Sequence, residues 1–208
     1  MAKVKMSKNA TSIDMTAMCD VAFLLLTFFI LTATAKTPEA LPVQTPNSTV
    51  QTKLPDTDLA TITLGTVEGK DQAFFGVLGK QIRIRTLELM GEKYSTSFTD
   101  EEKEEFSRIE SFGTPVEGLK QLIAMKNEDR NKKGVQPGIP KDSLNNQLKE
   151  WIFNARIATN EVDGKLLQVA IKGDAQQQYP TIKKIMDILQ DQQINNFNLV
   201  TGLRGKDF

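Results

Sequence analysis

Asp20 is the residue of this chain with the most to explain. It lies in "SIDMTAMCDVAFLLLTFFILTATA", Ser12 to Ala35, where every residue from Val21 to Ala35 is uncharged. A carboxylate near the centre of a membrane-crossing helix costs about 2.5–3.5 kcal/mol on insertion scales. It is kept there where it meets a protein partner or water rather than lipid. In such a place it can take up and release a proton. At helical spacing Thr16, Phe23, Leu24, Thr27 and Leu31 share its face. The hydroxyls of Thr16 and Thr27 make that stripe mildly polar, although a helical threonine also bonds its own backbone.

Other chemistry is poorly supplied. The 208 residues include no His, which removes the usual general base and the commonest metal ligand. Cys19 is the single cysteine, so one chain holds no disulfide framework and no thiolate metal site. Asp174 has no nearby candidate partner in sequence and reads as a helix-entry cap rather than a catalytic acid. No glycine-rich phosphate loop, metal motif, nucleophile elbow or internal repeat is visible. We therefore expect no enzyme, no cofactor and no metal. With 26 basic against 26 acidic residues, no strongly basic face calls for nucleic acid.

The element that must position Asp20 is a helix over residues 15–35. At 1.5 Å per residue it would be about 31 Å long, close to the hydrocarbon thickness of a bilayer. Phe23 to Leu31 is apolar on every face except at Thr27, which leaves no stripe for water. Lys3, Lys5 and Lys8 precede it, placing residues 1–14 in the cytoplasm and everything after Lys36 across the membrane. A cleaved secretory signal is the competing reading, with Ala33-Thr34-Ala35 as the cleavage site. Asp14 and Asp20 do not suit a signal sequence, so a retained anchor is preferred.

Residues 36–58 hold Pro38, Pro42, Pro46 and Pro55 among Thr, Gln and Asn. That composition builds no core and predicts a disordered, extended linker reaching about 70 Å. Residues 59–208 then read as one small mixed domain. "ATITLG" and "AFFGVLG" form a hairpin across "TVEGKDQ". Thr99 and Glu102 make a capping box. Val116 to Lys126 is a helix with Leu119, Leu122 and Ile123 on one face, and "KNEDRNKKGVQPGIPKD" follows as a polar loop. Leu144, Leu148, Trp151, Ile152 and Ala155 mark a second buried stripe. "LLQVAIKG" is a strand, and "YPTIKKIMDILQDQQI" a helix with Pro180 in its first turn. "FNLVTGL" is a closing strand. A strand-helix-strand order allows parallel pairing by a right-handed crossover. The fold class is α+β, with one membrane helix, a linker and a mixed α/β domain.

The stretch "IDMTAMCDVAFLLLTFFILTA" resembles the single transmembrane helix of the ExbD/TolR family. Ile13, Asp14, Thr16, Asp20, Val21, Phe23, Leu25, Leu26, Phe28 and Phe29 fall in the family pattern, and Ala17 stands where Pro is usual. The resemblance continues in "EALPVQTP", similar to the Leu-Pro stretch after the family helix, and in Asp174, Tyr179 and Leu199 to Thr201. It fades between residues 80 and 140, which we read as an insertion.

The resemblance implies a proton-channel subunit of an inner-membrane motor, with Asp20 as the protonatable aspartate and Thr16 and Thr27 on its supporting face. It implies an ExbB-like multi-spanning partner, a TonB-like transducer, a periplasmic domain and a homodimer. Leu41, Pro42 and Val43 are candidates for binding a partner, although a plain spacer is the preferred reading of a proline-rich composition. Phe197, Asn198, Leu199, Val200 and Thr201 lack proline and charge. Exposed, such an edge would need pairing, and symmetric pairing with a second copy supplies it. The alternative is an anchored or secreted periplasmic module, TolR-like in touching the envelope or peptidoglycan, with no motor role.

Overall fold

The computed structural model describes residues 14–33, 39–48, 53–67, 69–132, 134–142 and 145–203. The chain divides into two compact units, Met1–Thr37 and Pro38–Phe208. The first contains α1, Met15–Thr32, an 18-residue helix long and apolar enough to cross a membrane. Its last described residue, Ala33, already leaves helical geometry (ψ 109°), so the helix is shorter than the expected 15–35. Ala35 and Ile13 lie outside the described residues.

The second unit is a mixed sheet covered by helices. After β1 (Asn47–Ser48), strands β2 (Leu59–Val67) and β3 (Lys70–Val77) form the expected hairpin. Their strands run longer and their turn tighter than the sequence indicated, with Val67 opposite Lys70. Helices α2 (Lys80–Lys93), α3 (Asp100–Ser107), α4 (Val116–Ala124), α5 (Asn127–Arg130) and α6 (Gln147–Asp163) follow. Then come β4 (Gln168–Gly173), α7 (Tyr179–Asp191), β5 (Phe197–Val200) and β6 (Gly202–Leu203). The main sheet has the order β3-β2-β4-β5, with β2–β4 and β4–β5 parallel. The crossover through α7 is thus the parallel connection that the element order allowed.

Register separates two faces of this sheet. Ala60, Ile62 and Leu64 lie opposite Val77, Phe75 and Ala73, and with Val169 and Ile171 they meet the helices. Trp151 of α6 is fully buried there, 4.8 Å from Phe112 and 6.2 Å from Phe106 between ring centroids. Leu148, Ile152 and Ala155 are buried beside it, as the stripe predicts; Leu144 lies outside the described residues.

The stretch read as an insertion contributes to this core: Leu87, Met90, Phe106 and Leu119 are fully buried. The capping box forms as expected, with Thr99 Oγ1 accepting from Glu102 N and Glu102 Oε2 from Thr99 N. Leu119, Leu122 and Ile123 are buried on α4. The expected polar loop is not uniformly solvated. Arg130 is 2% exposed because its guanidinium donates to the Leu122, Ile123 and Met125 carbonyls, closing the C-terminal end of α4.

Two expectations are corrected. Asp174 does not cap α7, whose N-cap is Gln178 without a side-chain bond; Asp174 Oδ1 accepts from Gln176 N in the turn before it. Pro180 is in the first turn of α7, as predicted. The linker is not extended throughout either. Residues 39–48 lie against the domain because Leu41 and Val43 are apolar side chains that the proline-rich average conceals.

Candidate functional site

Helix α1 carries the sequence-predicted proton site. It starts at Asp14, whose Oδ1 accepts the Thr16 amide at 3.0 Å and supplies the N-cap that Pro would otherwise favour. Hydrogen bonds from the Thr16 hydroxyl and backbone hold the Asp14 carboxyl below its ordinary range. Asp20 follows six positions later, about 9 Å along the axis. Thr16, Thr27 and Leu31 lie within about one quarter-turn of it. The Thr27 hydroxyl donates to Leu24 O at 2.9 Å, and the Thr32 hydroxyl to Phe28 O at 2.7 Å. Thr27 is therefore self-satisfied, and only its lone pairs remain for a partner. No residue of α1 is buried, and Phe23 and Leu31 are 67% and 85% exposed.

The second set of predicted residues lies in the domain. Leu41 is buried with Val67 and Phe74 on the sheet face opposite the main core, and Val43 packs beside it. Gly65 makes room: a Cβ there would lie 2.9 Å from Val43 Cγ1 and 3.0 Å from Leu41 Cδ2. Pro42 between them is exposed. Polar bonds hold both ends of the segment. Glu39 pairs with Lys172 at 2.6 Å, Gln44 O accepts Ala175 N at 2.7 Å, and Pro46 O accepts Gly202 N at 2.9 Å. Beyond them β1 pairs in parallel with β6. Leu41 and Val43 are thus docked on the chain's own sheet.

The third set is β5, the last strand in the sheet order. Phe197 packs on the core, whereas Leu199 is 59% exposed, and Asn198 and Val200 point to the other face. Thr201 is exposed between β5 and β6. An open groove of about 1100 Å³ runs beside this edge, lined by Phe153, Arg156, Leu166, Asn195, Phe197 and Asn198 among others.

Sequence reasoning missed the seat of the linker, Gly65 with Val67 and Phe74, and its anchor Lys172. An isolated glycine inside a strand pattern was the available signal, since it marks close approach of another chain segment. It also missed a polar staple between the hairpin and α7. Asp71 accepts Thr181 Oγ1 at 2.5 Å and Thr66 Oγ1 at 3.1 Å. Hydrogen bonds from Thr181, Gln177 and Thr66 hold its carboxyl below the usual range. Among the described residues no group of three or more Cys, Asp or Glu is placed to hold a metal ion.

A protein-family model described as "Biopolymer transport protein ExbD/TolR" matches residues 6–203. No curated protein and no solved structure matches the chain.

Proposed function

This chain belongs to the ExbD/TolR family of biopolymer transport proteins, and from that premise we propose that it is the proton-carrying, single-span subunit of an inner-membrane motor. The observation that carries this reading is the lone carboxylate Asp20 on an 18-residue apolar helix. One helix with one acid makes no pore, so α1 works within the helices of an ExbB-like multi-spanning protein. Asp20 takes a proton from the periplasmic side and releases it to the cytoplasm. A unit charge crossing 100 mV releases about 2.3 kcal/mol, which repeated transfer turns into movement of α1. Residues 36–58 pass that movement to the periplasmic domain, which acts on a TonB-like transducer for outer-membrane transport.

A second copy completes the unit. The open side of β5 gives Phe197 to Thr201 an edge for symmetric pairing. Two Asp20 carboxyls would then sit in one partner assembly and load alternately, since neighbouring carboxylates resist ionising together.

Asp20→Asn tests the reading. Asn is nearly isosteric and keeps hydrogen bonding but carries no titrating proton. The variant is expected to express and to assemble with its membrane partner while losing transport. Full transport at normal protein level would end the proton-carrier role.

A further inference from the structure

The chain enters β2 through an unusual residue. Asp58 is 6% exposed, and its φ of 55° puts a non-glycine residue in the left-handed region. Its Oδ2 accepts Lys165 Nζ at 3.0 Å and Thr57 Oγ1 at 2.9 Å. Its Oδ1 is buried and meets no donor. Buried acceptors are rarely left so, because they lose water without a replacement. A third neighbour that interacts with the Asp58 side chain is another acid, Asp163, the last residue of α6. Gly164 closes that helix in the left-handed conformation (φ 65°), and both Asp163, which is exposed, and Lys165 reach Asp58 from this turn.

Two carboxylates can bond each other only if one carries a proton. Asp163 sits at a helix C-terminus, where the helix dipole disfavours negative charge, and Asp58 has the ammonium of Lys165 to keep it ionised. We propose that Asp163 and Asp58 share one proton and form a pH-dependent latch that fixes where the linker enters the domain. The directions agree: the Asp58 side chain pushes the Asp163 carboxyl up, while Lys165 and Thr57 hold Asp58 down. The charged groups adjacent in sequence on each element are committed elsewhere. Lys53 pairs with Asp56 upstream in the linker, Glu161 of α6 pairs with Arg85, and β4 contributes the uncharged Gln168, whose amide donates to Asp58 O.

The latch closes as pH falls. With Asp163 protonated, the Asp58 carboxylate gains a donor beyond Lys165 and Thr57. As pH rises through the raised Asp163 value, the proton leaves, the two carboxylates repel, and Lys165 alone holds the junction. A more acidic medium around the domain therefore tightens the attachment of the linker. This inference is independent of whether Asp20 carries protons.

The test uses the full chain in detergent micelles. Carbon-13 NMR of labelled aspartate carboxyls should show Asp163 titrating above the ordinary aspartate value. The thermal midpoint of the wild type should decline as pH rises through that window. Asp163→Asn, which donates at every pH, should remove the decline and melt above the wild type at high pH. Asp163→Ala should melt below the wild type in weak acid, where the shared proton is lost. Titration of Asp163 at or below the ordinary value overturns the latch, as does an unchanged pH slope in Asp163→Asn. A titration point that falls steeply on adding millimolar calcium, with a matching rise in melting temperature, would make the pair a cation site instead. Should the variants fail to fold, the wild-type carboxyl titration decides by itself.

Discussion

Asp14 and Asp20 are the same residue type six positions apart, and their surroundings divide them. Asp14 is a helix cap satisfied by Thr16, whereas Asp20 lies among lipid-compatible side chains with no local task. Asn caps a helix as well as Asp does. Asp14→Asn should therefore retain transport and normal protein level in the assay in which Asp20→Asn loses activity. In the domain, the residue with most at stake is Arg130. Removing its side chain leaves the carbonyls of Leu122, Ile123 and the C-cap Met125 without this donor, the first two in a buried site. Arg130→Ala is expected to lower unfolding free energy by about 2–3 kcal/mol, measured by denaturant titration of the full chain in detergent.

Among the elements, the docked linker segment and the last strand carry the mechanical consequences. Residues 39–48 are held by one buried leucine and a few polar bonds, so the attachment is local and releasable. Leu41→Asp places a charge against Val67 and Phe74 and should free the segment. Hydrogen exchange reads this directly: the Ala175 and Gly202 amides, which donate to Gln44 O and Pro46 O, should lose protection while amides of β2 and β4 keep theirs. Unchanged protection at both amides would show that Leu41 does not hold the segment. For β5, single cysteines at Asn198 or Val200 in a Cys19→Ser background should crosslink between chains in the envelope. Efficient function with no crosslink at any position from 197 to 201 would rule out the strand-paired dimer, leaving another surface to join two copies.

For the whole molecule, stability against pH has two limbs of opposite sign. Hydrogen bonds from Thr181 to Asp71 and from Lys103 to Glu88 hold both carboxyls below their ordinary values. Such groups add stability above the unfolded values and lose it as pH falls through the lowered folded ones. Asp163 is shifted the other way, so its contribution is full below the unfolded value and is lost as pH rises through the raised folded one. The melting temperature of the full chain should thus climb out of strong acid, peak in weak acid and then decline. Asp71→Asn should flatten the acid limb and leave the decline in place.

How much of this was legible in the sequence depends on the range of the interactions. The candidate span and Asp20 follow from unbroken apolarity and one charge, which need no partner to be read, whereas the Asp14 cap that starts the helix came from the structure. The capping box of Thr99 and the stripes of α4 and α6 were legible because local spacing sets them. Helix α2 gave no such signal, since Ile82, Arg83, Ile84 and Arg85 alternate like a strand, while its buried face runs Ile82, Thr86, Leu87, Met90 and Gly91. A threonine and a glycine dilute that stripe, and packing against α3 and α6 overrides it. The misread Asp174 shows the same limit, because a cap and a turn use the same side chain a few residues apart. Leu41 on Gly65 and Asp58 beside Asp163 join positions far apart in the chain. Composition averages them away; only the tertiary structure, which buries a leucine of a proline-rich tether and brings two acids together, decides what they do.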